Sequence, residues 1–443
     1  HRLTRLLCLV VLPAALATHA ASLYETNPPA PGSEEMKSLF LFAKGYTNFN
    51  HGSFGSPPRP VIEALWKHQE ECEAMPDQWF RGGYQKYFDQ LREEMGAYLN
   101  ANSSDVVFVE NASSGVNAVL RSLQFKPGDV VVYLAIAYGM VKNTFGYLTH
   151  TEDIVEVSIE VRFPGNESMV VAASGESLTE ALAKTLEEHG SRVKLVSLSH
   201  IASLPAVILP IEDLARVAKA RGVPVLVDGA HALGHIPLDM DAYERAGVTY
   251  WIGNGHKWLY SPKGSAILWA TKAAQPTLVP TVISSAYLAG IVDRHDHYLN
   301  HFQYTGTRDY TPLVTMIDAL AFRRWVGEDT IISYNHHLAM WAQRHLAAVW
   351  KTEGLLPEQV NGMLSHARLP LHTAQDMGRV RSTLLSDYGM ELTTFALQDP
   401  IVSEEGQDSN VTYWTRLSGQ IYLNQSDFEA LGKAVLEILG CDV

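Results

Sequence analysis

"WIGNGHKWLYSPKGS", residues 251–265, ends an apolar run with glycine and asparagine, then places His256 and Lys257 directly before Trp258, with Pro262 and Gly264 close behind. A lysine in such a position is ordinarily a solvated loop charge. The alternative is an amine held for covalent chemistry, and the segments around it decide between the two.

Short apolar runs precede and follow this stretch: "DVVFVEN" (105–111), "GDVVVYLAIAYG" (128–139), "VKLVSLSHI" (193–201), "VPVLVDGAH" (223–231), "VTYWIGNG" (248–255) and "GSAILWA" (264–270). Amphipathic segments such as 177–189 and 211–220 lie between them. This alternation is the β-α-β pattern of a mostly parallel sheet buried between helix layers. Ligands of such sheets sit at the carboxyl ends of the strands, so the polar residues closing these runs are the candidates for function. Upstream, apolar residues recur at helical spacing from about Val61 to Asn100, with Pro60 near the start. From about residue 315 helical patterning dominates until the strand-like "YWTRLSGQIYL" (413–423), which reads as a smaller α+β domain over 315–443 beside a large domain over 46–314.

The chain has 443 residues, of which 47% are hydrophobic and 19% charged, enough to bury a large core. Its formal net charge of -14 repels phosphate backbones and anionic lipid surfaces, and no Lys/Arg cluster offsets it, so neither nucleic acid nor membrane is an expected partner. Cys8, Cys72 and Cys441 share no paired spacing, which argues against a disulfide framework or a zinc-thiolate site. "HRLTRLLCLVVLPAALATHAAS" (1–22) reads as a secretory signal peptide or the first part of a plastid leader, with a cytoplasmic location as the alternative. The Pro-rich, acidic "ETNPPAPGSEE" within 23–45 reads as a linker outside the fold. Sequons occur at Asn102, Asn166, Asn410 and Asn424, and a fifth at Asn111 falls in a candidate site.

Asp228 ends an almost wholly apolar strand. A carboxylate beside a low-dielectric core is costly unless a cation or strong donor meets it. A helix N-cap is one such role. A protonated pyridine nitrogen is another partner. Lys257 follows about one crossover later, so neighbouring strands bring acid and amine to opposite edges of one planar ring. Pyridoxal phosphate needs that arrangement, with lysine as the Schiff base and acid at the ring nitrogen. A phosphate cradle fits "ENASSGVNAVL" (110–120), where the amides around Ala112, Ser113, Ser114 and Gly115 face an anion at a helix N-terminus.

"NFNHGSFG", "ENASSGVNAVLR", "VDGAH", "GNGHKWLYSPKGS", "YTGTRDYTP" and "TRLSGQIYLN" together resemble the class V aminotransferases, and among them the branch of isopenicillin N epimerases and hercynylcysteine sulfoxide lyases. The resemblance runs from about residue 46 to the C-terminus. It implies the fold type I of pyridoxal-phosphate transferases, with a mostly parallel sheet between helix layers and a smaller α+β C-terminal domain. It further implies Lys257 as the Schiff-base lysine, Asp228 at the ring nitrogen, Tyr138 stacked on the ring and Ser203 near the ring hydroxyl. Ala112, Ser113, Asn254 and His256 match phosphate-contacting positions. Thr307 matches a threonine reaching the phosphate from a neighbouring subunit, which implies a homodimer. His231 stands where the family more often has glutamine. For the substrate carboxylate the guanidinium fork of Arg416 is the expected anchor, with Asn50 and His51 lining the same pocket. Arg81 is a possible second anchor, or else a surface ion pair.

With this coenzyme Lys257 is the expected base at Cα, and three outcomes follow. Loss of a β-substituent makes a carbon-sulfur lyase, reprotonation from the opposite face an epimerase, and reprotonation at the coenzyme an aminotransferase. β-Elimination asks for the fewest extra residues and is the expected reaction. No cysteine lies in a segment resembling the mobile loop of desulfurases. A non-catalytic binding role is the remaining alternative, and the presence of both Lys257 and Asp228 argues against it. "DRHDHYLNH" (293–301) offers His295, His297 and His301, but no acid or cysteine set accompanies them and no metal is expected. The "NHH" beginning at Asn335 reads as an exposed helix face.

Overall fold

The apolar runs assemble, in a computed structural model that describes residues 24–166, 169–287, 294–398 and 411–441, into one seven-stranded sheet. Its strands are β1 (Val106–Val109), β2 (Val130–Leu134), β3 (Val155–Ile159), β4 (Val193–Ser199), β5 (Val225–Asp228), β6 (Val248–Asn254) and β7 (Ala266–Ala270). They lie in the order β1-β7-β6-β5-β4-β2-β3. Strands β2 to β6 run parallel to one another, while β7 is antiparallel to both β1 and β6. Every residue of β1, β2, β5 and β7 is buried, the burial expected of strands covered on both faces. Edge strand β3, whose pattern is more polar, was not marked out by the apolar runs.

Helices Leu178–His189 and Ile211–Lys219 form where the amphipathic segments lie. The first begins with a capping box in which Ser177 and Glu180 satisfy each other's backbone amides, and this sets its start. Two buried layers flank the sheet. One contains Leu195, Leu226, Ile252 and Val116, and the other Val196, Val227, Trp251 and Leu214.

The helical stretch expected from Val61 to Asn100 is two helices, Arg59–Ala74 and Tyr84–Leu99. Pro76 disfavours helical backbone at Met75, which sits at φ -146°, and Gly82 at φ 149° breaks the path again. Periodicity persists across the break, so spacing alone hides it. Asn100 closes the second helix in a left-handed conformation.

The segment read as a linker belongs to the fold. Gly32 donates its N–H to Ile421 O at 2.7 Å, Ser33 caps helix Glu34–Ser38, and Met36 and Phe40 are buried with Phe49, Ile421 and Tyr422. Its charges face solvent while two apolar residues anchor it. Residues 1–22 lie outside the described residues.

Toward the C-terminus a three-stranded antiparallel sheet has the order β8-β10-β9, with β8 Leu364–Arg368, β9 Thr393–Gln398 and β10 Val411–Ser418. The expected strand is β10. The mixed polarity of "LSHAR" and "TTFALQ" concealed its partners. Asn335 is fully buried on helix Glu328–Trp350, contrary to the exposed face read from its sequence. His336 Nδ1 donates to Gly362 O (2.9 Å), so only His337 of that triplet points outward. Among the described residues no helix is long and apolar enough to cross a membrane.

Candidate active site

Strands β4, β5 and β6 end in register at their carboxyl edge, where Ser199 pairs with Asp228 and Asp228 with Ile252. That edge, the N-terminus of helix Ala112–Ser122 and the loop after β6 enclose a cavity of about 170 Å³. Nine sequence candidates line it: Ala112, Ser113, Tyr138, Ser203, Asp228, His231, Asn254, His256 and Lys257.

Asp228 is only 7% exposed, and its Oδ1 accepts the Ala230 N–H at 3.0 Å. Among the described residues it has no ion pair. Burial pushes its carboxyl above the usual range, against the pull of the Ala230 amide and the Lys257 charge. Lys257 Nζ lies 3.0 Å from His231 Nε2. Burial, reinforced by the Arg416 charge and opposed by Asp228, lowers the Lys257 ammonium to about 7. His231 is held neutral, chiefly by burial and then by the adjacent lysine. Its Nδ1 is buried without a hydrogen-bond partner among the described residues.

At the other end Asn111 caps the helix through Oδ1 to the Ser114 N–H (2.9 Å), and Asn254 Oδ1 accepts the Ala112 N–H (2.8 Å). Ser114 itself is turned away from the cavity, while the Ser113 side faces it. Such a helix start is suited to an anion. Tyr138 stands at the mouth, 51% exposed.

Arg416 lies behind two cavity residues, Ser203 and Ser53. Its guanidinium is 2% exposed and donates to Ser203 O (3.0 Å), Ser203 Oγ (3.3 Å), Asn50 Oδ1 (2.8 Å) and Ser53 Oγ (2.8 Å). Nε has no partner, and no carboxylate pairs with this cation among the described residues. Burial lowers the guanidinium to about 10.

The structure separates the remaining candidates from the cavity. His51 does not line it: the ring is fully buried, with Nδ1 3.0 Å from Tyr422 Oη and Nε2 2.9 Å from Lys257 O. Asn50 reaches the cavity through Arg416 and through Ser53, whose Oγ donates to Asn50 Oδ1 (2.7 Å). Arg81 is 80% exposed at its side chain and pairs with Asp77 one turn away (3.0 Å), the surface ion pair given as its alternative. Thr307 bonds Tyr304 Oη (3.1 Å) and shares a separate surface depression with Arg81. His297 and His301 face each other with ring centroids 3.7 Å apart, and the side chain of His295 lies outside the described residues.

Sequence reasoning missed Ser53, Phe54, Met140, Ser199 and Ile201, which also line the cavity. Ser199 closes β4, and the strand-end rule could have found it. Phe54 and Met140 carry no sequence signal for the site.

The cavity fits pyridoxal phosphate: a near-neutral amine, a buried carboxylate lacking a cation, and a helix start with the Ser113 hydroxyl beside it line one space. A family model described as aminotransferase class-V matches residues 56–394. An L-cysteine desulfhydrase-like protein of Epichloe uncinata is 28% identical over 445 residues, covering 91% of this chain and 95% of its own. The L-cysteine desulfhydrase of Arabidopsis thaliana is 28% identical over 417 residues, covering 89% and 88%. The isopenicillin N epimerase of Streptomyces clavuligerus is 25% identical over 425 residues, covering 92% and 98%. Among solved structures, a mutant of C-DES with glycine covalently linked to its PLP cofactor has a TM-score of 0.71 at 19% identity, covering 88% of this chain and 96% of that one. This likeness identifies the fold as type I of the pyridoxal-phosphate enzymes.

Proposed function

The chain belongs to the aminotransferase class-V family, and from that premise we propose that it is a pyridoxal-phosphate lyase that removes a sulfur substituent from Cβ of a cysteine-type amino acid, releasing pyruvate and ammonia. Pyridoxal 5′-phosphate is its coenzyme. When bound, it withdraws electrons from Cα of the attached amino acid. Lys257 would carry its aldehyde and Asp228 would accept its ring N–H. The Ser113 amide and hydroxyl at the helix start, with Asn254, which also fixes the Ala112 N–H, and His256, would hold its phosphate, and Tyr138 its ring face.

The observation that carries this reading is the near-neutral Lys257 amine in a cavity backed by a buried guanidinium without a carboxylate. Arg416, whose buried charge has no carboxylate partner among the described residues, would take the substrate carboxylate by exchanging for it the hydrogen bonds it now makes to the cavity residues Ser203 and Ser53. With the carboxylate anchored there, the Lys257 amine takes the Cα proton, and the sulfur leaves with the Cβ–S bonding pair. A thiolate leaving group needs no acid strong enough to protonate it first.

Lys257 and His231 touch each other, so they address Cα from one side. Two-base epimerisation needs a second acid on the opposite face, which this pair does not supply. Neither Cys72 nor Cys441 lines the cavity. Burial and then the Glu73, Asp309 and Glu71 carboxylates raise the Cys72 thiol, a poor state for accepting sulfur. Both points favour release of the sulfur over its transfer to the protein.

The position of Thr307, away from its own cavity and at the surface, supports a homodimer in which it serves the neighbouring site. The deciding assay incubates holoenzyme with cysteine and with cysteine S-conjugates. Pyruvate and ammonia in equal amounts support the lyase. Racemisation with deuterium entering Cα and no pyruvate replaces it with the epimerase.

A further inference from the structure

His51 stands outside the cavity yet touches the residue at its centre. Its imidazole is fully buried, and both ring nitrogens have partners. A carbonyl oxygen can only accept, so Nε2 carries the hydrogen and donates it to Lys257 O. That leaves Nδ1 as the acceptor of the Tyr422 O–H, which lies at 3.0 Å and is farther, at 3.4 Å, from its other acceptor, Asn48 O. Tyr422 thereby selects the one tautomer that can hold the lysine carbonyl. Burial keeps the ring neutral, with its acid form displaced to about 3.

The helical turn that carries His51, His51–Phe54, has a second attachment. Asn50 at its start and Ser53 within it accept the two hydrogen bonds from Arg416 Nη2. Its end presses on the lysine loop: a Cβ on Gly55, which sits at φ 66°, would come within 1.7 Å of His256 O. One short turn therefore grips the Lys257 backbone on one side and the Arg416 fork on the other.

We propose that His51 is a positioning residue, which fixes Lys257 through its carbonyl and, by way of its own turn, sets the separation between the base and the carboxylate-binding arginine. The inference rests on Lys257 being the base at Cα, and it holds for any reaction that begins with that proton transfer. Loss of the Nε2–H frees the lysine main chain, so proton transfer slows more than substrate binding weakens. Displacement of a reacting group by about 1 Å costs on the order of 10²-fold in rate.

The test follows Cα–H exchange by NMR with holoenzyme in deuterated buffer, using alanine, which has no β-leaving group, and normalising to coenzyme bound. Pyruvate from cysteine is scored separately, so failure of the lyase assignment leaves this readout intact. His51→Met is expected to slow exchange at least about tenfold while KM stays within about threefold, and His51→Gln, whose amide can donate from the same position, to recover most of the rate. Tyr422→Phe, which keeps the ring but frees the tautomer, is expected to show a smaller slowing and serves if His51→Met does not fold. Exchange at the parent rate in His51→Met or, failing that variant, in Tyr422→Phe overturns the proposal. Equal losses in the Met and Gln variants also overturn it, because packing alone then explains them.

Discussion

Lys257 Nζ lies 3.0 Å from His231 Nε2, and burial of the amine in this pair, with the Arg416 charge behind it, sets the pH behaviour of the site. The ammonium is lowered to about 7, so the neutral amine that can attack an aldehyde grows in as pH rises through 7. Uptake of coenzyme by apoprotein should be about tenfold faster at pH 8 than at pH 6, the ratio set by a single titration at that midpoint. Stopped-flow absorbance of the binding step reads it. A rate flat between those values contradicts the depressed amine.

The same depression has a sign in stability. A lysine at about 7 in the folded state and 10.5 unfolded costs the apoprotein most below pH 7, and the cost fades as pH rises to 10.5. Replacing it by Met removes a buried charge, so Lys257→Met apoprotein should melt higher than the parent at pH 6, with the difference shrinking by pH 9. Calorimetry at both values checks the direction.

Arg416 should show two effects at once. Arg416→Gln would remove the proposed charged donor to the substrate, worth about 1.5–3 kcal/mol, and should raise KM by roughly 10- to 100-fold. It also removes a positive charge that depresses Lys257, so the acid limb of coenzyme uptake moves to higher pH. A KM change without that shift would place the arginine farther from the amine than the structure does.

Asp228→Asn keeps the size of the side chain but loses the charge that, in the proposed function, would face the ring nitrogen. Coenzyme should still bind, since the phosphate and amine sites remain, while kcat falls on the order of 10²-fold, the value of about 2–3 kcal/mol for a charge-assisted hydrogen bond. Steady-state kinetics with occupancy read from the coenzyme absorbance separates the two.

Much of this site was legible because buried parallel strands leave few places for polar atoms. Asp228 and Asn254 stood out as the polar ends of apolar runs, and the Ser-Gly start after β1 marked the anion-facing helix. His51 was read as a pocket residue because its motif neighbours reach the site. Its actual partner is a backbone carbonyl 206 positions away, and side-chain identity carries no trace of a bond to a main-chain atom. Arg81 looked like an anchor only by type, and its neighbour Asp77 claims it. The break at Met75–Gly83 and the docked segment around Met36 share a cause: periodicity and composition average over stretches, whereas one proline or one buried methionine decides the path of the chain.

Arg323 offers a test of the support beneath the lysine loop. Its guanidinium is 1% exposed and binds Glu328 through two nitrogens (2.8 and 2.5 Å) while donating to Trp258 O (2.5 Å) and Gly234 O (3.0 Å). Arg323→Met leaves two buried carbonyls without their donor and the Glu328 carboxylate with the Tyr98 O–H (2.7 Å) but no cation, and should cost about 3 kcal/mol of stability. Denaturant unfolding of the apoprotein measures it, and a loss below about 1 kcal/mol would mean that the loop repacks freely.

Every role proposed for the cavity residues follows from a covalent bond between Lys257 and the coenzyme. Reduction of the holoenzyme with borohydride, followed by protease digestion and mass spectrometry, locates that bond directly. The pyridoxyl mass on Lys257 is the predicted result. The same mass on Lys263, or on no lysine of the cavity loop, would contradict it.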